Sequence, residues 1–139
     1  MATDKAARCD IMTKEIELLN LTSSQIAVFE KYARLDISLA DFRRALRGLI
    51  FEISFELGNR WMSERYRIPK PGVIVTLEHV QNAITKWRTG QVRERDFVCW
   101  ACVLSMSDTY EFDLKDQNFI GDSLIDISYR EFPPDQDKD

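Results

Sequence analysis

The sequence changes its hydrophobic period twice, and no other feature restricts its fold as strongly. Between Thr22 and Leu49, and again from Thr76 onward, apolar residues recur every three or four positions, the stripe of an amphipathic helix. Between those stretches Phe51-Glu52-Ile53-Ser54-Phe55-Glu56-Leu57 alternates apolar and polar residues, as a half-buried strand does. Leu46, Leu49, Ile50, Ile53 and Leu57 also fit a helical stripe, so the competing reading continues the second helix through this segment; the alternation favours the strand. Gly58-Asn59 is a turn signal, and Arg65 to Thr76 holds β-formers interrupted by Pro69-Lys70-Pro71-Gly72, which reads as a small, irregular antiparallel hairpin.

Helix starts and stops follow from local chemistry. Thr22, Ser23 or Ser24 caps a first helix that runs to Arg34 with Ile26, Phe29 and Ala33 on its stripe. Ser38, followed three residues later by Asp41, opens a second with Leu39, Phe42, Leu46 and Leu49 on one side and Arg43, Arg44 and Arg47 off it. The short Leu35-Asp36-Ile37 link makes the two an antiparallel hairpin. A third helix starts at Thr76 or Leu77, carries Val80, Ala83, Ile84 and Trp87, and stops at Gly90. A fourth spans Arg93 to Met106 with Phe97, Trp100, Ala101 and Leu104 inward, and a fifth spans Asp116 to Tyr129 with Phe119, Ile120, Leu124 and Ile127. The predicted class is α+β, mainly α: two similar helical hairpins, a small antiparallel β-hairpin between them and a C-terminal helix. The expected organisation is a partly disordered segment at 1–20, one compact domain at 21–132 and an acidic disordered tail at 133–139 after Pro133-Pro134.

The two helical hairpins are related in sequence. A shift of 55 residues aligns Lys31 with Lys86, Tyr32 with Trp87, Ile37 with Val92, Asp41 with Asp96 and Phe42 with Phe97. Each unit ends a helix on a large aromatic, turns over an aliphatic residue, and meets Asp-Phe in the next helix. Two matched units are too few for a stacked solenoid.

Composition narrows the function classes. The chain of 139 residues has 19 Lys+Arg and 23 Asp+Glu, unevenly distributed. Up to Val103 there are 16 basic and 13 acidic residues, whereas from Leu104 onward there are 3 and 10. That acidic third repels polyphosphates and suits a basic partner. The charged stretch Met1 to Asp10 lacks the apolar core of a secretory signal. The longest uncharged run, Phe97 to Ser107, is about half of the ~20 residues a membrane-spanning helix needs. Three cysteines, Cys9, Cys99 and Cys102, fit reduced thiols in a cytoplasm. The expectation is a cytoplasmic protein that engages neither membrane nor nucleic acid.

Gln25-Ile26, Lys31-Tyr32 and Ile37-Ser38-x-x-Asp41-Phe42-Arg43, followed by Glu78-His79-Val80-x-Asn82-Ala83-Ile84 and Gly90-x-Val92-x-x-x-Asp96-Phe97-x-x-Trp100-Ala101, resemble small bacterial proteins of largely unknown function, some of them immunity partners of secreted toxins. The likeness spans Leu21 to Phe132 and departs from the pattern at Arg93 and Arg95. It carries no functional residue across; it implies a protein-binding role.

Candidate chemistry is sparse. Cys99-Trp100-Ala101-Cys102 has thiol-disulfide spacing but lies inside a helix, away from the electropositive start that activates such a thiol, and reads as two packed thiols. Zinc held by Cys9, His79, Cys99 and Cys102 has only two ligands at metal-like spacing. His79 lacks an identifiable orienting partner. No nucleophile elbow or phosphate loop occurs. Arg43, Arg44 and Arg47, with Arg60, Arg65 and Arg67 and the interleaved Trp61 and Tyr66, read as solvated surface rather than a nucleic-acid site. Catalytic, cofactor and metal residues are therefore assigned to none. The carboxylates Asp108, Glu111, Asp113 and Asp116, on a solvated connection, are the expected partner-binding group. The expected function is non-enzymatic protein binding through this acidic C-terminal face; the alternative is an enzyme or small-ligand domain with a site near His79 and Trp87.

Overall fold

The computed structural model describes residues 18–56 and 58–131. Expectations for residues 1–17, including Cys9, for Leu57, for Phe132 and for the tail at 133–139 lie outside the described residues. Leu18–Asn20 is held to the body: Asn20 bridges Arg67 in parallel, and the Arg67 N–H donates to the Leu19 carbonyl at 2.9 Å.

Helix α1 (Ser23–Ala33) opens on a reciprocal cap. The Gln25 N–H donates to Thr22 Oγ1 at 3.2 Å, and the Thr22 N–H to Gln25 Oε1 at 2.9 Å, which satisfies two of the free donors at a helix start. Helix α2 (Leu39–Ala45) follows, with Ser38 Oγ accepting from the Asp41 N–H at 3.0 Å. The Asp41 carboxylate turns instead to Arg44 at 3.0 Å, so only half of the expected box forms. The predicted stripe through Leu49 overshoots by a turn, because Gly48 takes φ 88° and breaks the helix while Leu46 remains buried.

Strand β1 (Ile50–Glu56) replaces the helical continuation and pairs antiparallel with β2 (Asn59–Glu64). Gly58 at φ 86° supplies the left-handed residue that a tight hairpin needs. The second strand is thus Asn59–Glu64, not the Arg65–Thr76 stretch named from β-propensity. Within that stretch Val73–Val75 (β3) pairs in parallel with Tyr110–Phe112 (β4). A parallel pair needs a long crossover, here helices α3 (Leu77–Arg88) and α4 (Glu94–Met106); three-residue strands show no period in sequence. Gly72 enters β3 so close to Thr109 that a Cβ would collide with the Thr109 carbonyl oxygen, and its N–H donates to Glu111 at 2.6 Å. A 3₁₀ turn (Leu114–Asp116) leads into α5 (Gln117–Ser128).

Helix α4 explains the packing. From Phe97 to Leu104 every residue is buried, as expected of a helix that is apolar all round. Its widest contact is with α5, and α1, α2, α3 and β2 also pack against it. Trp100, Tyr32, Tyr66, Phe29 and Phe42 are the largest fully buried side chains. Phe29 meets Phe42, Tyr66 and Tyr110 edge-on at 5.3, 5.8 and 5.6 Å between ring centres, a preferred aromatic geometry. The described chain is a mixed α/β fold with five helices and a small antiparallel sheet. No helix among the described residues is long and apolar enough to cross a membrane.

Candidate functional site

The carboxylates expected to bind a partner do not lie on a featureless loop. Glu111 sits in β4 and accepts from the Gly72 N–H, and Asp113 accepts from the Lys115 N–H at 3.4 Å to open the 3₁₀ turn. The Asp108 N–H donates to Glu64 at 2.9 Å while its own side chain is exposed, and Asp116 is half-buried at the start of α5. Thr109 and Tyr110, between them, are buried. The connection is therefore a structural element whose acids are partly engaged in holding β3, β4 and the turn.

Helix α5 presents a second surface that the stripe reading misassigned. Ile120, Leu124 and Ile127 face the core as expected, but Phe119 is 61% exposed. Ile125 and Tyr129 are also exposed, as is Leu114 in the preceding turn. Asp122 and Asp126 are exposed too. The steps 119, 122, 125, 126 and 129 fall along one side of a 3.6-residue helix. At its end Arg60 donates to the Ser128 carbonyl and lies 5.8 Å from the Tyr129 ring centre, fixing β2 to the helix terminus. A surface that mixes large apolar side chains with carboxylates results.

His79 and Trp87 are not brought to one site. His79 is the third residue of α3, where its Nδ1 accepts from the Thr76 N–H at 2.9 Å and lies 3.0 Å from Thr76 Oγ1. The proton of the neutral ring is therefore on Nε2. Burial, then the nearby Arg34 cation, hold its pKa below the ordinary 6.5, with Glu78 opposing them. Two open depressions meet at Arg34 and His79. One, about 450 Å³, lies between Ile26 and Glu30 of α1 and Pro71 and Ile74; the other, about 280 Å³, is bounded by Asp36, Glu78 and Asn82. Trp87 lines neither. It stacks on Phe97 at 4.9 Å, donates Nε1–H to Glu94, and lies under Arg130 at 4.4 Å.

Arg43, Arg44 and Arg47 line a depression of about 380 Å³ beside Gly48. Arg60, Arg65 and Arg67 are not among its lining residues. Cys99 and Cys102 are buried and unbridged, and burial pushes the Cys102 thiol up, against the lowered pKa of a reactive thiol. Among the described residues no three or more His, Cys, Asp or Glu side chains gather in a metal-holding group.

Sequence reasoning missed Glu64 altogether. At the end of β2 its carboxylate accepts from Tyr66 Oη, from Ser107 Oγ at 2.7 Å, from the Asp108 N–H at 2.9 Å and from Thr109 Oγ1 at 3.3 Å. Burial is the main cause that raises its pKa, against these donors. Tyr66, Ser107 and Thr109 are themselves buried, so the network pins the hairpin to the α4–β4 connection. The only local signals were a charged residue at a strand end and Tyr66 two positions on; the other donors, Ser107, Asp108 and Thr109, lie more than forty positions away.

Compared with known proteins, the chain matches no family model, no curated protein and no solved structure.

Proposed function

We propose that this chain is a non-enzymatic protein-binding domain that receives a basic partner on the outer face of α5. The observation that carries this reading is the exposure of Phe119, Ile125 and Tyr129 with Asp122 and Asp126 set among them. Exposed apolar patches on soluble domains mark interaction sites, and aromatic residues are enriched where partners dock. Carboxylates around such a patch steer a basic partner toward it and suppress acidic ones. Asp108 and Asp116 extend the field; Glu111 and Asp113 contribute charge while serving the fold. On this reading nucleic acid and membrane surfaces are not partners, and the domain works in the cytoplasm as the small immunity-like proteins do.

The same reading takes α1–α2 and α3–α4 as two copies of one helical hairpin. Supporting it, the Asp36 N–H donates to Lys31 O and the Gln91 N–H to Lys86 O, both at 2.9 Å. Leu35 and Gly90 both take positive φ, and Tyr32–Phe42 and Trp87–Phe97 both stack.

The test is capture of the partner on the full chain, followed by calorimetry on the purified pair at several salt concentrations. Phe119→Ala with Tyr129→Ala should weaken binding about tenfold or more, and Asp122→Asn with Asp126→Asn should flatten the salt dependence. A partner that binds all these variants equally well overturns the reading. A second reading, a small-ligand or enzymatic site near His79 and Trp87, draws on the depressions that meet at Arg34 and His79. Ligand-induced thermal stabilisation that His79→Gln abolishes and Phe119→Ala leaves intact would favour it.

A further inference from the structure

Among the described residues, strand β3 keeps one edge unpaired. The Val73 N–H donates to Thr109 O at 2.8 Å and Val75 O accepts from the Asp113 N–H at 2.9 Å, so both groups face β4. Successive backbone groups along a strand point to opposite edges. The N–H and C=O of Ile74 therefore point away from β4, and no partner takes them among the described residues. The Ile74 side chain is 44% exposed. The 450 Å³ depression is lined by Ile74 and by α1, and by no residue of β4, which puts it along this open edge.

The chemistry of the groove selects an occupant. Its apolar surface comes from Ile26, Pro71 and Ile74. Its cation, Arg34, is already engaged by Asp36 at 3.0 Å. Burial, then the Arg34 cation, hold the His79 imidazole below its ordinary 6.5, and its Nδ1 accepts the Thr76 N–H. Glu30 and Glu78 are exposed at the two connected depressions and enter no ion pair among the described residues. An unpaired edge beside apolar surface and free carboxylates fits strand addition, in which backbone hydrogen bonds give affinity and alternate side chains give specificity.

We propose that the open edge of β3 takes up an extended peptide segment of alternating basic and apolar residues, which adds as a further strand and sets its cations against Glu30 and Glu78. This site is separate from the α5 face and does not depend on it. An unpaired edge of this kind is the feature that folded proteins otherwise cover or charge.

The probe is the peptide Lys-Val-Lys-Val-Lys-Val, with Glu-Val-Glu-Val-Glu-Val as its counterpart, titrated into the isotope-labelled full chain and followed by amide NMR. Expected are shifts centred on Ile74 and Glu30, slowed hydrogen exchange of the Ile74 amide on binding, and no comparable binding of the acidic peptide. Glu30→Gln with Glu78→Gln should weaken the basic peptide about fivefold, and Asp122→Asn with Asp126→Asn should not. Equal binding of both peptides, or an Ile74 amide that exchanges as fast with peptide as without, overturns the proposal. Shifts confined to α5 overturn it too, while leaving the α5 reading intact.

Discussion

At Leu35 and at Gly90 the backbone enters the left-handed region, with φ 54° and 78°, and each residue's N–H returns to the large aromatic three positions earlier, Tyr32 or Trp87. An extended residue then caps the next helix, Ser38 in one turn and Arg93 in the other. The surroundings differ. The carbonyls at the end of α1 are taken up from afar: Trp100 Nε1 donates to Ala33 O at 3.1 Å, Asn82 Nδ2 to Arg34 O at 2.9 Å, and Lys86 Nζ to Arg34 O and Leu35 O at 3.0 Å. Thr89 donates locally to Thr85 O at 2.9 Å near the end of α3. Tyr32 and Phe42 are fully buried, whereas Trp87 is only partly buried at the edge of the core. One local geometry thus serves the centre of the core in the first turn and its edge in the second.

The aromatic stacks test that difference most severely. Phe42→Ala should cost about 3–5 kcal/mol, as large-to-small changes in a closed core do, while Trp87→Ala should cost about 2 kcal/mol, because its ring is only partly buried. Chemical denaturation of both variants measures this, and equal losses would erase the contrast. Next in size is the lysine pair. Lys86→Met deprives the end of α1 of a charged donor and should cost about 1–2 kcal/mol. Lys31→Met, the matching change on the exposed side of α1, should stay within about 0.5 kcal/mol.

The left-handed positions come third. Gly90→Leu should cost about 1–2 kcal/mol of backbone strain. Leu35→Gly relieves the same strain but gives up a half-buried side chain packed against the core, so its net effect on the melting temperature should be close to zero. The smallest effect separates the helix starts. Gln25 closes the α1 cap at any pH, but His79 closes the α3 cap only while Nδ1 is free to accept. Because the folded-state pKa of His79 is lowered, the unfolded chain takes up its proton first. The stabilisation is therefore complete above the ordinary 6.5 and is lost as pH falls from there through the folded-state value. His79→Gln should remove that part of the pH dependence, at a scale of about 1 kcal/mol for a cap. A melting curve against pH that is the same in both proteins would show that the cap does not depend on the imidazole.

Local chemistry made much of this legible. The change of period at Phe51, the caps at Thr22 and Ser38, the stop at Gly90 and the buried stripe of α4 follow from side-chain type and spacing, each acting within a turn or two. Phe119 did not: an apolar residue next to an apolar stripe reads as inward, and only the placement of α5 against α4 decides which side meets water. The carboxylates at 108–116 were visible as charge, but the engagement of Glu111 by the Gly72 N–H required β3 to lie beside β4. Glu64 was legible only as a charge at a strand end, since three of the four donors around it, Ser107, Asp108 and Thr109, come from just beyond the end of α4.

What the chain determines by itself is therefore where helices and the hairpin begin and end, and where its acidic charge is concentrated. These depend on interactions a few residues long, whose energies are expressed before any packing occurs. The parallel β3–β4 pair, the open edge at Ile74, the solvent-facing side of α5 and the Glu64 network were decided only by the tertiary structure. The strand pair, the open edge and most of the Glu64 network depend on groups separated by more than thirty positions, and the solvent-facing side of α5 on its packing against α4; a sequence pattern of period two or 3.6 carries no information about which distant surface an element will meet.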